Sequence, residues 1–232
     1  MQNYHVIIPA AGKGTRMKRD YNKLFIELAG RPILAHTLAV FQNDVQCQGI
    51  HLAVHPRDHM EMRGLCQKFN KVRTLIKGGA TRQDSIHRVL QAVSLEDDDL
   101  VLVHDGARPF VSHETIHRLC EAVQQQGAAI VGVKAKDTIK EVQHQMVTKT
   151  LNRSVLWQIQ TPQGATYKTL LNAYQQAEQT QFEGTDDASL LEHAGETVHV
   201  VEGDYENIKI TTEDDLWMGQ AFLNKRSSDN HV

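Results

Sequence analysis

Short aliphatic and β-branched runs alternate along the chain with stretches whose apolar positions recur every three or four residues. Extended runs are predicted at residues 6–8, 50–54, 72–76, 100–103 and 128–133. Helices are predicted between them at 33–41, 58–69, 82–93 and 113–126. Ser112 stands as N-cap of the last helix, with Glu114 and Thr115 in its first turn. Several of the strands are almost unbroken apolar runs, as expected when both faces are covered. Strand–helix alternation of this kind builds an α/β fold: a Rossmann-like, mainly parallel sheet with helices on both faces.

The alternation stops after Val133. Residues 134–153 read K-A-K-D-T-I-K-E-V-Q-H-Q-M-V-T-K-T-L-N-R, polar and apolar by turns with a polar middle. That pattern predicts a hairpin arm projecting from the core, its apolar side chains covered by a second subunit. Beyond it the pattern resumes: an extended run at 156–159, helices at 167–178 and 186–194, strands at 197–201 and 207–210, and a helix at 213–223. Residues 224–232 are polar and expected to fray. The organisation expected is one domain over residues 1–232, with 134–153 as its arm.

A chain of 232 residues with 41% hydrophobic and 23% charged positions builds its core without disulfides or a structural metal. The formal net charge of -3 gives no global basic field, so no nucleic-acid partner is expected. Cys47, Cys66 and Cys120 are widely spaced and form no C-x-x-C, which suits free thiols in a reducing compartment. The first residues, M-Q-N-Y-H-V-I-I-P, do not read as a secretory signal, and no apolar run approaches the roughly 18 residues of a membrane span. A cytoplasmic protein without membrane association is expected.

The strongest local signal follows the first strand: P-A-A-G-K-G-T-R-M, residues 9–17. Gly12 and Gly14 let the backbone approach a ligand, and successive N–H groups in such a loop make an anion-binding concavity. Lys13 and Arg16 add positive charge, so a polyphosphate is the natural guest. Two commoner glycine motifs fail on residue identity. The dinucleotide fingerprint needs a small residue where Met17 stands, and an acid closing the second strand, which residues 51–55 lack. The Walker loop G-x-x-x-x-G-K-S/T would need glycine at Ile7 and serine or threonine at Gly14. Lys23, seven residues beyond Arg16, is placed to bracket the same phosphate chain. Asp105, closing an apolar strand, sits where open parallel sheets bind ligands and suits either Mg²⁺ or a substrate hydroxyl. His113 and His117 have a metal-compatible i, i+4 spacing but no convincing third ligand nearby, so no zinc site is expected. No G-x-S-x-G or Cys–His nucleophile pattern is present.

Taken in order, P-A-A-G-K-G-T-R-M, N-K-L-F, G-R-P-I-L-A-H-T-L, G-G-A-T-R-Q-D-S-I, V-H-D-G-A-R-P, K-D-T-I-K, R-S-V-L-W-Q-I-Q-T-P-Q, G-T-D-D-A-S and V-E-G-D-Y-E-N-I-K-I-T span nearly the whole chain. The series resembles the sugar-nucleotidyltransferase superfamily, and within it the 2-C-methyl-D-erythritol 4-phosphate cytidylyltransferases. The resemblance implies transfer of CMP from CTP to that polyol phosphate with Mg²⁺ as cofactor and release of pyrophosphate, in the non-mevalonate route to isoprenoid precursors. It implies a nucleotide pocket from Ala10, Ala11, Gly12, Lys13, Gly14, Gly79 and Ser85. Arg16, Lys23 and Lys209 are implied as catalytic, and Asp105, Arg108, Thr138, Arg153, Thr161 and Thr185 as substrate-binding, with Asp105 also on the metal. A homodimer follows, each arm lending Thr138 and Arg153 to its neighbour. One departure is visible. Many members have proline before the lysine matching Lys23, whereas this chain has Asn22, which is expected to leave the loop looser. Ribitol 5-phosphate cytidylyltransferase is the nearest rival, with a nucleotide-dependent dehydrogenase and a non-catalytic nucleotide-binding module further off.

Overall fold

The computed structural model describes residues 3–12 and 21–229. Its centre is a sheet of seven strands among the described residues, in the order β11-β7-β10-β6-β1-β4-β5. These are β1 (Tyr4–Ala10), β4 (Cys47–Val54), β5 (Val72–Lys77), β6 (Leu100–Val103), β7 (Ala128–Lys134), β10 (Trp157–Thr166) and β11 (His199–Glu202). All neighbours run parallel except β10, which is antiparallel to both β6 and β7.

The apolar runs are explained by burial on both sides. Tyr4, Val6, Ile8 and Ala10 point into one core with α1 (Ile33–Asn43) and α4 (His113–Gln126). Ile7 of the same strand points into a second core with α3 (Arg82–Ala92), α5 (Tyr167–Thr180) and α6 (Asp187–His193). Period-two side-chain alternation thus becomes a continuous hydrophobic string when helices cover both faces. The short strands β2 (Glu27–Leu28) and β3 (Arg31–Pro32) pair ahead of α1, and α2 (His59–Cys66) is entered by a 3₁₀ turn at Pro56–Asp58. The predicted N-cap forms: the Ser112 side chain accepts from the Thr115 N–H. His113 bonds the Val40 carbonyl at 2.8 Å, and His117 pairs with Asp44 at 3.0 Å.

Within residues 134–153, β8 (Lys140–Gln143) and β9 (Met146–Thr150) pair antiparallel, and every residue of both is exposed. His144 and Gln145 form the two-residue connection with φ of 49° and 65°, the left-handed geometry that matches the twist of paired strands.

Three local expectations are corrected. Residues 207–210 form no strand. Their backbone groups turn inward, Ile210 N donating to the Ala107 carbonyl at 2.9 Å, because the segment crosses the strand ends instead of extending the sheet. Nor does the polar tail fray at residue 224. α7 (Glu213–Asp229) continues, with Arg226 donating to the Phe110 carbonyl at 2.8 Å and Lys225 pairing with Glu206 at 2.7 Å. The extended run at 156–159 is also only the start of the ten-residue β10.

Candidate active site

Chain order reverses direction at β1, whose neighbours β4 and β6 lie on opposite sides. Such a switch point leaves a crevice beyond the carboxyl ends of the strands. A cavity of about 690 Å³ opens there. Pro9, Ala11 and Gly12 follow β1; Asp105, Gly106 and Ala107 follow β6; Gly79, Ala80, Thr81, Arg82 and Ser85 lead into α3. Asn22, Lys23, Leu24, His55 and Lys209 complete the lining.

The entry to α3 is built from its own sequence. Thr81 caps the helix and Asp84 bonds back, closing a capping box. Ser85 Oγ donates to the Thr81 carbonyl at 2.7 Å and accepts from the Gly79 N–H at 3.0 Å. The paired glycines are there for space. A Cβ on Gly78 would stand 2.4 Å from the Ala11 Cβ, and one on Gly79 would stand 2.3 Å from the Asp84 Cβ.

Lys23 is held by Asn22, which is 1% exposed. Asn22 caps the 3₁₀ turn Lys23–Phe25 and donates to the Ala10 carbonyl at 2.8 Å and to Asp58 at 3.1 Å. The Asn22 amide thereby ties the turn to the end of β1; the loop that Asn22 is expected to leave looser falls largely on residues 13–20, which lie outside the described residues. Lys23 Nζ then donates to the Ile210 carbonyl at 2.8 Å, one residue from Lys209.

Asp105 is the electrostatic centre. Lys209 Nζ lies 2.8 Å from its Oδ2, Arg108 Nε 3.5 Å from the same oxygen and Arg82 Nε 3.6 Å from Oδ1. Burial alone would raise this carboxyl; the charges of Lys209, Arg82 and Arg108 outweigh it and hold the group well below the usual carboxylate range. Arg82 is itself anchored. Its Nη1 and Nη2 meet the two oxygens of Asp187 at 3.1 and 2.6 Å, and Tyr174 donates to the same carboxylate. Burial would lower Arg82, but the Asp187 charge and hydrogen bonds carry it above its ordinary value. The result is an anionic anchor ringed by fixed cations at the mouth of a glycine-lined crevice, suited to gathering phosphates.

A family model described as "IspD: 2-C-methyl-D-erythritol 4-phosphate cytidylyltransferase" matches residues 4–225. The chain belongs to that family. A relative from Lysinibacillus sphaericus (strain C3-41), named 2-C-methyl-D-erythritol 4-phosphate cytidylyltransferase, is 47% identical over 226 residues, 97% of each chain. Among solved structures, 4-diphosphocytidyl-2C-methyl-D-erythritol synthase from Anaerococcus prevotii superposes with a TM-score of 0.84 at 34% identity, covering 96% of each chain. The Francisella tularensis 2-C-methyl-D-erythritol 4-phosphate cytidylyltransferase gives a TM-score of 0.81 at 35% identity, covering 94% of this chain and all of the other.

Against this family background, Ala11, Gly12, Lys23, Gly79, Ser85, Asp105 and Lys209 converge on one cavity from across the sequence. Ala10 is buried at the end of β1 and receives the Asn22 amide. Lys13, Gly14 and Arg16 lie outside the described residues. Arg108 does not line the cavity; its Nη1 donates to the Asn207 carbonyl at 2.7 Å, bracing Asp105 against the segment that carries Lys209. Thr161 is 5% exposed and bonded to the Asp105 backbone. Thr185 is exposed just ahead of α6, and Thr138 and Arg153 are exposed on the arm. None of these four lines the cavity. Sequence reasoning missed Arg82 and Asp187. Arg82 and Asp187 stand inside blocks already singled out, G-G-A-T-R and G-T-D-D-A-S. Their signal was a charge of each sign beside a helix start, legible only once the two blocks are known to touch.

Proposed function

We infer that this chain transfers the cytidylyl group of CTP to 2-C-methyl-D-erythritol 4-phosphate and releases pyrophosphate. The observation that carries this reading is the convergence of Lys23, Lys209 and Asp105, with the glycines of two separate loops, on one crevice. The nucleophile is a phosphate monoester oxygen, ionised at neutral pH, so no general base is needed. The obstacle is repulsion between two anions, which fixed cations and positioning overcome. Lys23 and Lys209 neutralise charge developing at the α-phosphorus, joined by Arg16; Lys13 and Arg16 hold the departing pyrophosphate.

Mg²⁺ fits the donors present. Such an ion takes one or two carboxylates and fills its remaining positions with phosphate oxygens and water. Asp105 is the one carboxylate lining the cavity among the described residues, and no cluster of three His, Cys, Asp or Glu groups occurs among them. Asp105 and the triphosphate would hold the ion, which would supply further neutralisation of phosphate charge.

Pyrophosphate release, measured with each nucleoside triphosphate against 2-C-methyl-D-erythritol 4-phosphate and ribitol 5-phosphate, tests the reading. CTP with the branched tetritol phosphate is expected to be the productive pair. A preference for ribitol 5-phosphate, or CTP binding without release, overturns it.

The arm is read as a dimer contact that presents Thr138 and Arg153 to the neighbouring site's polyol phosphate, Arg153 through its two-pronged fork. Val142 and Val147 face each other across β8 and β9, 55% and 61% exposed, beside Met146 at 66%. Isolated two-stranded ribbons with apolar faces need a cover. Sedimentation is expected to give a dimer, and Val142→Asp with Val147→Asp a monomer with weakened polyol phosphate binding. A monomeric wild-type protein refutes the arrangement. No nucleic-acid partner is assigned, given the net charge of -3. No helix among the described residues is long and apolar enough to cross a membrane. A cytoplasmic location accords with three free, buried thiols.

A further inference from the structure

Every residue of the ribbon β8–β9 is exposed, yet the base of the arm is held. Tyr205, on the turn that follows β11, meets the chain where it leaves β7 for the arm. Its hydroxyl donates to the Lys134 carbonyl at 2.8 Å, and the Lys136 ammonium lies 3.3 Å from the centre of its ring. One side chain so makes two unlike bonds to residues two apart, which tyrosine permits because it joins a polar tip to a ring whose face attracts cations. The returning end of the arm closes on the same point: Arg153 donates through Nη1 to the Lys136 carbonyl. Tyr205 is 42% exposed, too open for core packing to account for these contacts.

The turn behind Tyr205 is fixed at several points. Gly203 N donates to the Gly132 carbonyl at 2.7 Å, and a Cβ on Gly203 would stand 2.5 Å from Val131 Cγ1. Gln160 Nε2 donates to the Asp204 carbonyl at 2.8 Å. Asn207, 1% exposed, donates to Gln160 Oε1 at 3.0 Å and to the Thr161 carbonyl at 2.9 Å. Lys209 follows two residues on and lines the cavity. Asn207 and Gln160 set the course of the segment toward Lys209, and Tyr205 uses the same anchored turn to hold the arm.

We propose that Tyr205 is a positioning residue: through Lys134 and Lys136 it sets the angle at which the arm leaves the sheet, and so places Arg153 for the polyol phosphate without touching substrate itself. Its kinetic part rests on the cytidylyltransferase reading and on the role given there to the arm; its geometric part does not, so each has its own measurement. Hydrogen exchange of the full chain is expected to be about tenfold faster in Tyr205→Leu than in wild type across residues 135–153, with α3 and α4 unchanged. The Leu151 N–H, bonded to the Ile139 carbonyl at 3.0 Å, reports it most directly. Tyr205→Phe, which keeps the ring under Lys136 and loses the hydroxyl, falls between the two. In Tyr205→Leu the polyol phosphate KM rises about five- to tenfold, with kcat and the CTP KM within about twofold of wild type. In an Arg153→Ala background the same substitution adds less than about twofold, because the group it places is gone. Equal exchange in Tyr205→Leu and wild type overturns the proposal. So does faster exchange with an unchanged polyol phosphate KM, or an undiminished KM effect in the Arg153→Ala background, the mark of a residue that meets substrate directly. A lowered kcat with KM retained overturns it as well, since the effect would then run through Lys209. Arg153→Ala with an unchanged polyol phosphate KM defeats the reading of the arm, and the proposal with it. Absence of cytidylyl transfer in the wild type defeats the functional reading, whereas the exchange comparison still decides whether Tyr205 holds the arm.

Discussion

Lys209→Ala is expected to lower kcat by roughly 10²–10³ while the chain stays folded, as for removal of one preorganised charge-stabilising group at other acyl- and phosphoryl-transfer sites. Two effects add. The ammonium group leaves the crevice, and Asp105 loses the partner at 2.8 Å. What remains near the carboxylate is Arg108 at 3.5 Å and Arg82 at 3.6 Å, each committed elsewhere, to the Asn207 carbonyl and to Asp187. A carboxylate less well compensated then faces an incoming triphosphate, so the variant is penalised in the transition state beyond the missing cation. The fold survives because Lys209 makes its ion pair at the cavity and leaves the backbone bond from Ile210 to Ala107 in place. Pyrophosphate release at saturating substrates, with a thermal melt alongside, checks this. Turnover within a few-fold of wild type would remove Lys209 from the chemistry. Lys23→Ala tests the second cavity lysine in the same assay, and its expected loss is of the same order.

The architecture was legible because each strand carries its burial in its sequence: β1, β4 and β6 are apolar on consecutive positions, which few structures except a doubly covered sheet permit. Helix starts were legible at Ser112 for the same local reason, a side-chain oxygen one turn ahead of an apolar stripe. Residues 207–210 misled because N-I-K-I alternates like a strand, yet the tertiary demand on them is to carry Lys209 across the strand ends and bond Ala107. Asn22 carries a role its residue type does not announce: its amide spans from Ala10 to Asp58. Of the site, the glycine loop and the candidate lysines were visible as residue types. The clamp on Asp105 was not, since Arg82, Lys209 and Arg108 come from three segments and only the sheet order makes them neighbours. Thr161 shows the converse. Its block marks it out, and only the fold shows that its hydroxyl accepts from the Asp105 N–H.

The same clamp predicts that Asp187→Asn is among the most damaging single changes for stability, by about 3 kcal/mol, the low end for breaking a buried ion pair since part of the Arg82 side chain reaches solvent. Asp187 is 1% exposed and meets Arg82 with both oxygens. Asparagine presents one acceptor and an NH₂ group, so one prong of the fork faces a donor and the Tyr174 hydroxyl competes for the remaining oxygen. For a chain of this length the loss corresponds to a fall in Tm of about 6–12 °C. Tyr174→Phe is the control. It removes a hydroxyl from the same carboxylate but leaves the arginine paired, and about 1 kcal/mol is expected. The two segments stay attached in either variant, since Gln83 still donates to the Phe182 carbonyl and accepts from the Gly184 N–H, both at 3.0 Å. What changes only in Asp187→Asn is the guanidinium: released from Asp187, it turns its charge on Asp105 and competes with Lys209 for that carboxylate. Asp187→Asn should therefore lose turnover that Tyr174→Phe keeps. Equal melting temperatures for Asp187→Asn and wild type would show that the buried pair adds nothing to stability.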